Sequence, residues 1–365
     1  MSEHHDKVLP PTDDLLCGRW PNGSMTAAAV LEAGKVGPVQ LEIPGPELGY
    51  VLVAPTTVGI CGTDLELLHG TASYVKDGRA VMPHVFGHEW VGRVVAIAGN
   101  CQYSRQLEIG DRVVGQTMLS CGGCRACQRG HRNECSQLKE VGLYGQQGAA
   151  AEFIRLPAQS LTKVPPGVDD FAAALAEPAV TVLAALDKVG VFPGERVLVM
   201  GTGTMGLLAV QMARRVAGTV DVVGVDDAGI GTALRMGAEH AFLPGEAKDG
   251  AYDVVIEASG AVSALLESLR VADIGGRIAA VGVPNATLPS VDAAEMVLRG
   301  VTMVGVRHGL DYYERALRLF EEGVLSAKGM IADVFPLAAA DEAFDLLENG
   351  RRAAPKVALS VTSRP

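Results

Sequence analysis

Four cysteines, Cys121, Cys124, Cys127 and Cys135, fall within fifteen residues, the first three as Cys121-Gly122-Gly123-Cys124-Arg125-Ala126-Cys127. Zinc favours a tetrahedron of soft ligands, and each C-x-x-C turn lets two sulfurs approach one ion. Four thiolates leave no open coordination position, so such an ion is structural and pins a lobe that has little core of its own. In a small secreted domain the same residues would read as disulfides. In a chain of 365 residues whose N-terminus shows no basic region followed by an apolar core, a metal cluster is the better reading.

A second group of ligand types is scattered: Cys61 in Gly59-Ile60-Cys61-Gly62-Thr63-Asp64, the pair His88-Glu89 after Gly87, and Glu177 in Leu175-Ala176-Glu177-Pro178. One thiolate, one imidazole and one carboxylate would hold a metal while leaving a position for water or substrate, the arrangement of a catalytic site. Each fragment alone is weak, because a lone His is usually a hydrogen-bonded core residue and a lone Cys a small buried hydrophobe. Their company raises the signal.

The third feature is the loop Gly201-Thr202-Gly203-Thr204-Met205-Gly206, preceded by the apolar run Val197-Leu198-Val199-Met200. A strand running through G-x-G-x-x-G into a helix is the dinucleotide fingerprint. Its glycines make a tight turn, admit backbone to the pyrophosphate and let helix pack on strand. Free N–H groups at the helix start, Thr204 and Met205 among them, then face the phosphates. Twenty residues after Gly206, Asp226 ends the next apolar run. A carboxylate there accepts hydrogen bonds from the adenosine ribose and repels a 2′-phosphate, so NAD is expected over NADP.

These residues need two kinds of scaffold. Between residues 27 and 156 the chain reads as short β-branched strands broken by Gly, Pro and Asp, including 51–53, 91–97 and 112–114, which suggests an antiparallel, barrel-like unit. Alanine-rich helical spacing follows over 171–175 and 181–189. From Arg196 strands and helices alternate (strands near 197–200, 220–225, 253–257, 277–281 and 302–306), the pattern of a doubly wound parallel sheet. A final strand, 356–359, is expected to return to the first unit. Residues 1–24 are read as a flexible extension, with Cys17 an incidental thiol; Cys101 is structural or incidental.

The bulk numbers agree with such an α/β protein. Forty-eight per cent of residues are hydrophobic and the net charge is −11, which argues against nucleic acid and anionic membrane surfaces as partners. Apolar runs end well short of the roughly 20 residues a membrane span needs. A cytoplasmic protein is the expectation.

In the Cys61–Asp64 segment, Gly87-His88-Glu89, the four-cysteine run, Glu177-Pro178, the glycine loop and Val254-Val255-Ile256-Glu257-Ala258-Ser259-Gly260, the chain resembles the zinc-containing medium-chain dehydrogenases. The likeness is to the branch that holds sorbitol (polyol), threonine and archaeal glucose dehydrogenases, and it runs from about Met25 to the C-terminus. It implies a GroES-like, partly open β-barrel catalytic domain of residues 25–178 completed by 314–365, with a Rossmann domain at 179–313. It implies that Cys61 and His88 bind a catalytic zinc with Glu89 or Glu177 as the carboxylate, that Asp64 orients His88, and that Thr63 takes the substrate proton. Many relatives carry a histidine where this chain has Glu66. Here Glu66 could relay the proton, meet the nicotinamide ribose or face solvent. Arg307 and His308 are candidates for the pocket wall. The expected cofactors are two zinc ions and NAD, and the expected substrate is a small polar one, a polyol, sugar or cyclitol oxidised at a secondary hydroxyl. A threonine-type 3-hydroxy amino acid is the alternative, and a homodimer or homotetramer is implied. A zinc-free reductase on the same fold would lack the ligand sets, and a non-enzymatic NAD(H) sensor would have no use for Thr63.

Overall fold

The computed structural model describes residues 16–99, 107–284, 287, 290–350 and 352–361. Its first sheet has eight strands. The path runs Leu161–Lys163, Arg112–Gly115, Glu89–Ala98, Tyr50–Ile60, Lys356–Ser360, Ile331–Pro336, with Leu16–Cys17 on the third and Ile154–Pro157 on the fourth. The C-terminal strand lies antiparallel to Tyr50–Ile60, so the last residues do return to the first sheet. Ser24–Glu32 pairs with Lys35–Glu42 and with His84–Val85 in a smaller antiparallel sheet. Six strands then form a wholly parallel sheet in the order Ala241–Phe242, Thr219–Val223, Arg196–Met200, Tyr252–Glu257, Ala272–Ala280, Thr302–Gly305. The sequence order reverses beside Arg196–Met200, and ligands bind at such a switch point.

The helix Ala176–Val189 joins the two sheets. Its alanines cost no side-chain entropy in a helix buried over most of its surface, and Gly190, at φ 64°, ends it. Ala179, Val180 and Leu183 share one buried cluster with Val91 and Val114 of the first sheet and Val197 and Val199 of the parallel one. Glu177 sits in the first turn of this helix.

The N-terminal expectation needs correction. Residues 16–24 are docked: Leu16 and Cys17 pair with Ala98 and Ile97, and the buried Trp20 donates its indole N–H to Pro44 O at 2.8 Å. An aromatic ring covering Leu52 and Ala96 outweighs the polar composition around it. Cys17 is disulfide-bonded, not an incidental thiol. Cys101 and residues 1–15 lie outside the described residues. Among those described, no helix is long and apolar enough to cross a membrane.

Candidate active site

Cys61 follows the strand Tyr50–Ile60 and caps the short helix Gly62–Leu68. Asp64, wholly buried in that helix, accepts a hydrogen bond from the Cys61 backbone N–H at 2.8 Å through Oδ2. Its Oδ1 lies 3.4 Å from the Gly87 N–H and 3.5 Å from His88 Nδ1. One carboxylate thus ties together the two segments that carry the thiol and the imidazole. Gly87 takes φ 93°, and a Cβ there would meet Val58 at 2.6 Å, so only glycine brings His88 this close. Glu89 starts the next strand and pairs with Gly59, where a Cβ would stand 2.7 Å from Glu89 Oε2. The missing side chain leaves room for the carboxylate.

Cys61, His88 and Glu89 offer ligand atoms all within 4.8 Å of one another, with His88 and Glu89 buried. The donor set suits zinc. Burial opposes a charged imidazole at His88, yet Asp64 and Cys61 raise its pKa well above the ordinary value. His88 Nδ1 is buried without a hydrogen-bond partner.

The sequence left Glu89 and Glu177 as alternatives, and the structure separates them. Glu89 belongs to the trio; Glu177 does not. Glu177 Oε1 accepts from Thr117 Oγ1 at 2.8 Å and lies 3.2 Å from His308 Nε2. Burial by itself would raise its pKa, but His308, the nearby His88 charge and Thr117 hold it down to about 2. Glu89 has a partner that sequence reading missed. Lys356 Nζ donates to its Oε1 at 2.8 Å and to Ile60 O at 3.2 Å; Oε2 is 2.6 Å from the same ammonium without hydrogen-bond geometry. Both side chains are almost fully buried.

Thr63 Oγ1 lies 3.9 Å from Cys61 Sγ. Burial raises the pKa of Glu66, but among the described residues no hydrogen bond links its carboxyl to Thr63. Tyr74 does reach this segment, its hydroxyl 3.5 Å from Thr63 O. Arg307 forks onto Glu140 Oε1 at 3.0 Å and Asn133 O at 3.0 Å, and His308 is buried against Glu177.

The sulfurs of Cys121, Cys124, Cys127 and Cys135 also lie within 4.8 Å of one another. Backbone N–H groups of Cys121 and Gln137 point at Cys135 Sγ, each at 3.3 Å, and Cys124 N points at Cys121 Sγ at 3.3 Å. Such donors favour thiolates: backbone hydrogen bonds pull Cys124 down to about 5, while burial pushes Cys127 up to about 11. Four clustered sulfurs with N–H donors around them fit a closed zinc site.

In the parallel sheet, Gly201 turns at φ 109° against Ser259, and a Cβ on Gly206 would stand 1.9 Å from Gly201 O. Gly203 caps the helix Thr204–Ala213, which has no side-chain cap, so its first N–H groups stay open to a phosphate. Asp226 caps the helix Asp227–Met236, accepting from Gly229 N at 2.7 Å. A cavity of about 710 Å³ runs past Gly201, Gly203, Asp226, Ser259 and Arg352, which suits an extended dinucleotide.

Residues 47–166 match the alcohol dehydrogenase GroES-like domain family, and residues 204–322 match the zinc-binding dehydrogenase family. The L-threonine 3-dehydrogenase of Aeromonas hydrophila is 32% identical over 336 residues, 87% of this chain and 94% of that protein. Among solved structures, the alcohol dehydrogenase TADH from Thermus sp. ATN1 superposes with a TM-score of 0.82 at 29% identity, covering 93% of this chain and 100% of that one. A zinc-binding dehydrogenase from Sinorhizobium meliloti 1021, bound to NADP, gives 0.83 at 28% identity over 93% and 99%. The chain belongs to the zinc-containing medium-chain alcohol dehydrogenase family.

Proposed function

We propose that this zinc-dependent dehydrogenase oxidises a secondary hydroxyl of a polyol, sugar or cyclitol with NAD. The observation that carries the reading is the meeting of Cys61, His88 and Glu89 at ligand distance. Bound there, zinc would lower the pKa of the substrate hydroxyl as a Lewis acid, and NAD would accept the hydride. The protein's own groups do the rest. Asp64 fixes the Cys61 and His88 segments, and Thr63 Oγ1 accepts the hydroxyl proton while giving up its own, which passes outward through the ribose hydroxyl of NAD to solvent. Glu177, ionised and partly committed to His308 and Thr117, offers its remaining acceptor capacity to a neighbouring hydroxyl of the substrate, which favours a polyhydroxylated compound over a simple alcohol. The cofactor would lie along the parallel-sheet cavity, whose lining includes Gly201, Gly203 and Asp226.

A second reading has its own support, since relatives at 31–32% identity are named L-threonine 3-dehydrogenase. In that case Glu177 would face a substrate ammonium. The near-ultraviolet absorbance of NADH separates the two when polyols, aldoses, aminocyclitols and L-threonine are supplied with NAD and NADP in parallel. Turnover of polyols, sugars or cyclitols is expected, and turnover of threonine alone would replace that reading with the second. No turnover of any secondary hydroxyl by zinc-loaded protein that binds NADH would contradict both and favour a sensor.

Cofactor choice rests on Asp226. Asp226→Ser keeps a capping oxygen for the following helix but removes the charge that meets the ribose. Its kcat/KM for NAD is expected to fall about tenfold while the NADP-to-NAD ratio rises, measured by steady-state kinetics. For assembly, we propose a homodimer or homotetramer. The edge strand Thr302–Gly305 and the exposed Val297 and Leu298 beside it support a self-contact.

A further inference from the structure

The four-cysteine lobe has little apolar interior: its strands Met118–Leu119, Lys139–Val141 and Gly145–Gln146 are two or three residues long, and its helix Arg125–Gln128 has four. Its shape depends on the sulfurs. Yet the segment held between Cys127 and Cys135 does not simply face solvent. Asn133, two residues before Cys135, donates from Nδ2 to His308 O at 3.3 Å, and its own carbonyl accepts from Arg307 Nη1 at 3.0 Å. The neighbouring Arg132 pairs with Asp311. From the two residues between strands Arg112–Gly115 and Met118–Leu119, Gln116 Nε2 donates to Leu310 O at 3.1 Å and Thr117 N to the Tyr313 hydroxyl at 3.2 Å.

The gripped segment, 307–313, follows the last strand of the parallel sheet and carries His308 to the reaction centre. His308 Nε2 stands 3.2 Å from Glu177 Oε1, Thr117 Oγ1 donates to the same oxygen at 2.8 Å, and Thr117 Oγ1 is 3.4 Å from His88 O. The side chains of His308 and Glu177 are only 5% and 12% exposed, so neither can shift without repacking its neighbours. A continuous line of contacts therefore runs from the cysteine lobe through Asn133, the 307–308 turn, Glu177 and Thr117 to the His88 carbonyl.

We infer that Asn133 is a positioning residue for the reaction: it fixes the Arg307-His308 turn on the cysteine lobe, and through His308 it sets where Glu177 stands beside the metal ligands. Through this contact the cysteine lobe bears on the geometry of the pocket beside Glu177. This rests on the dehydrogenase reading of the Cys61 centre, and one arm of the test below is independent of turnover.

In full-length, zinc-loaded Asn133→Ala, zinc per chain and NADH affinity should match the parent. KM for the hydroxyl substrate should rise roughly fivefold to tenfold with a smaller change in kcat. Arg307→Ala, which removes a separate bond to the Asn133 backbone carbonyl that Asn133→Ala retains, should also raise KM, and the double variant should be worse than either single one. Hydrogen–deuterium exchange over 307–313 should speed up in Asn133→Ala while 121–127 stays protected, whether or not a substrate is in hand. Unchanged exchange over 307–313 would overturn the inference. So would loss of the lobe's zinc in Asn133→Ala, since that makes Asn133 merely a part of the lobe's fold. Absent turnover in the parent enzyme together with the expected exchange pattern would bring down the dehydrogenase reading and leave the placement of the turn standing.

Discussion

Cys61→Ser is expected to reduce turnover by about a thousandfold or more while leaving NADH binding close to that of the parent. The thiol is one of three donors at ligand distance, and the other two, His88 and Glu89, come from the neighbouring strand and its lead-in loop. Serine preserves size and the backbone N–H that Asp64 Oδ2 accepts from, so the Cys61–Asp64 capping geometry survives. What goes is the soft anionic ligand. With a neutral hydroxyl in its place, an imidazole and a carboxylate already engaged by Lys356 cannot hold the ion firmly. The cysteine lobe keeps its own four sulfurs, so zinc should fall from two ions per chain to one. Elemental analysis, steady-state kinetics and NADH titration on one preparation check all three parts. Two zinc ions and intact turnover in the variant would contradict the assignment of this centre.

Lys356→Met is expected to destabilise the fold by about 3–5 kcal/mol, the usual cost of removing one partner of a buried ion pair. The Lys356 side chain is 5% exposed and that of Glu89 2%, so solvent cannot replace the lost charge. Burial pushes the Lys356 pKa down, but Glu89 and Cys61 more than reverse this, and the net shift is upward. A raised lysine pKa means the pair's contribution is fully present below the unfolded value and is lost only as pH climbs through the folded one. The deficit of the variant is therefore constant across neutral pH. Adding Glu89→Gln should recover part of the loss, because the orphaned carboxylate is then gone. Urea unfolding monitored by circular dichroism measures both. A deficit below about 1 kcal/mol would mean the pair contributes no more than an exposed one.

The chemistry of the site was legible from the sequence where the signal is local. The C-x-x-C spacing puts four sulfurs in one loop whatever surrounds it, and the glycine loop carries its strand and helix with it. The trio Cys61, His88 and Glu89 was legible only as a set of residue types, since its geometry depends on the register that pairs Glu89 with Gly59. Lys356 escaped because its partner lies 267 residues away. It meets Glu89 through the antiparallel pairing of Val357 with Ile60 and across the bare Cα of Gly59, and at the head of an apolar strand a lysine reads as a solvent-facing end. The docked stretch 16–24 was misread for a related reason: Trp20 and the pairing of Leu16 and Cys17 outweigh a polar local composition. Helix Ala293–Arg299, which buries none of its residues, and the short strand Ile331–Pro336 also went unread, since neither carries a periodic buried face.

The central claim is that a metal held by Cys61 and His88 is required for hydride transfer to NAD. The most direct test is graded chelation of the holoenzyme, with zinc content and NADH formation followed together on the substrate found by the screen. One ion per chain should leave first, from the open three-donor centre and not from the closed four-thiolate lobe, and turnover should vanish in step with it and return when zinc is added back. Turnover that persists after that ion is gone would contradict the account.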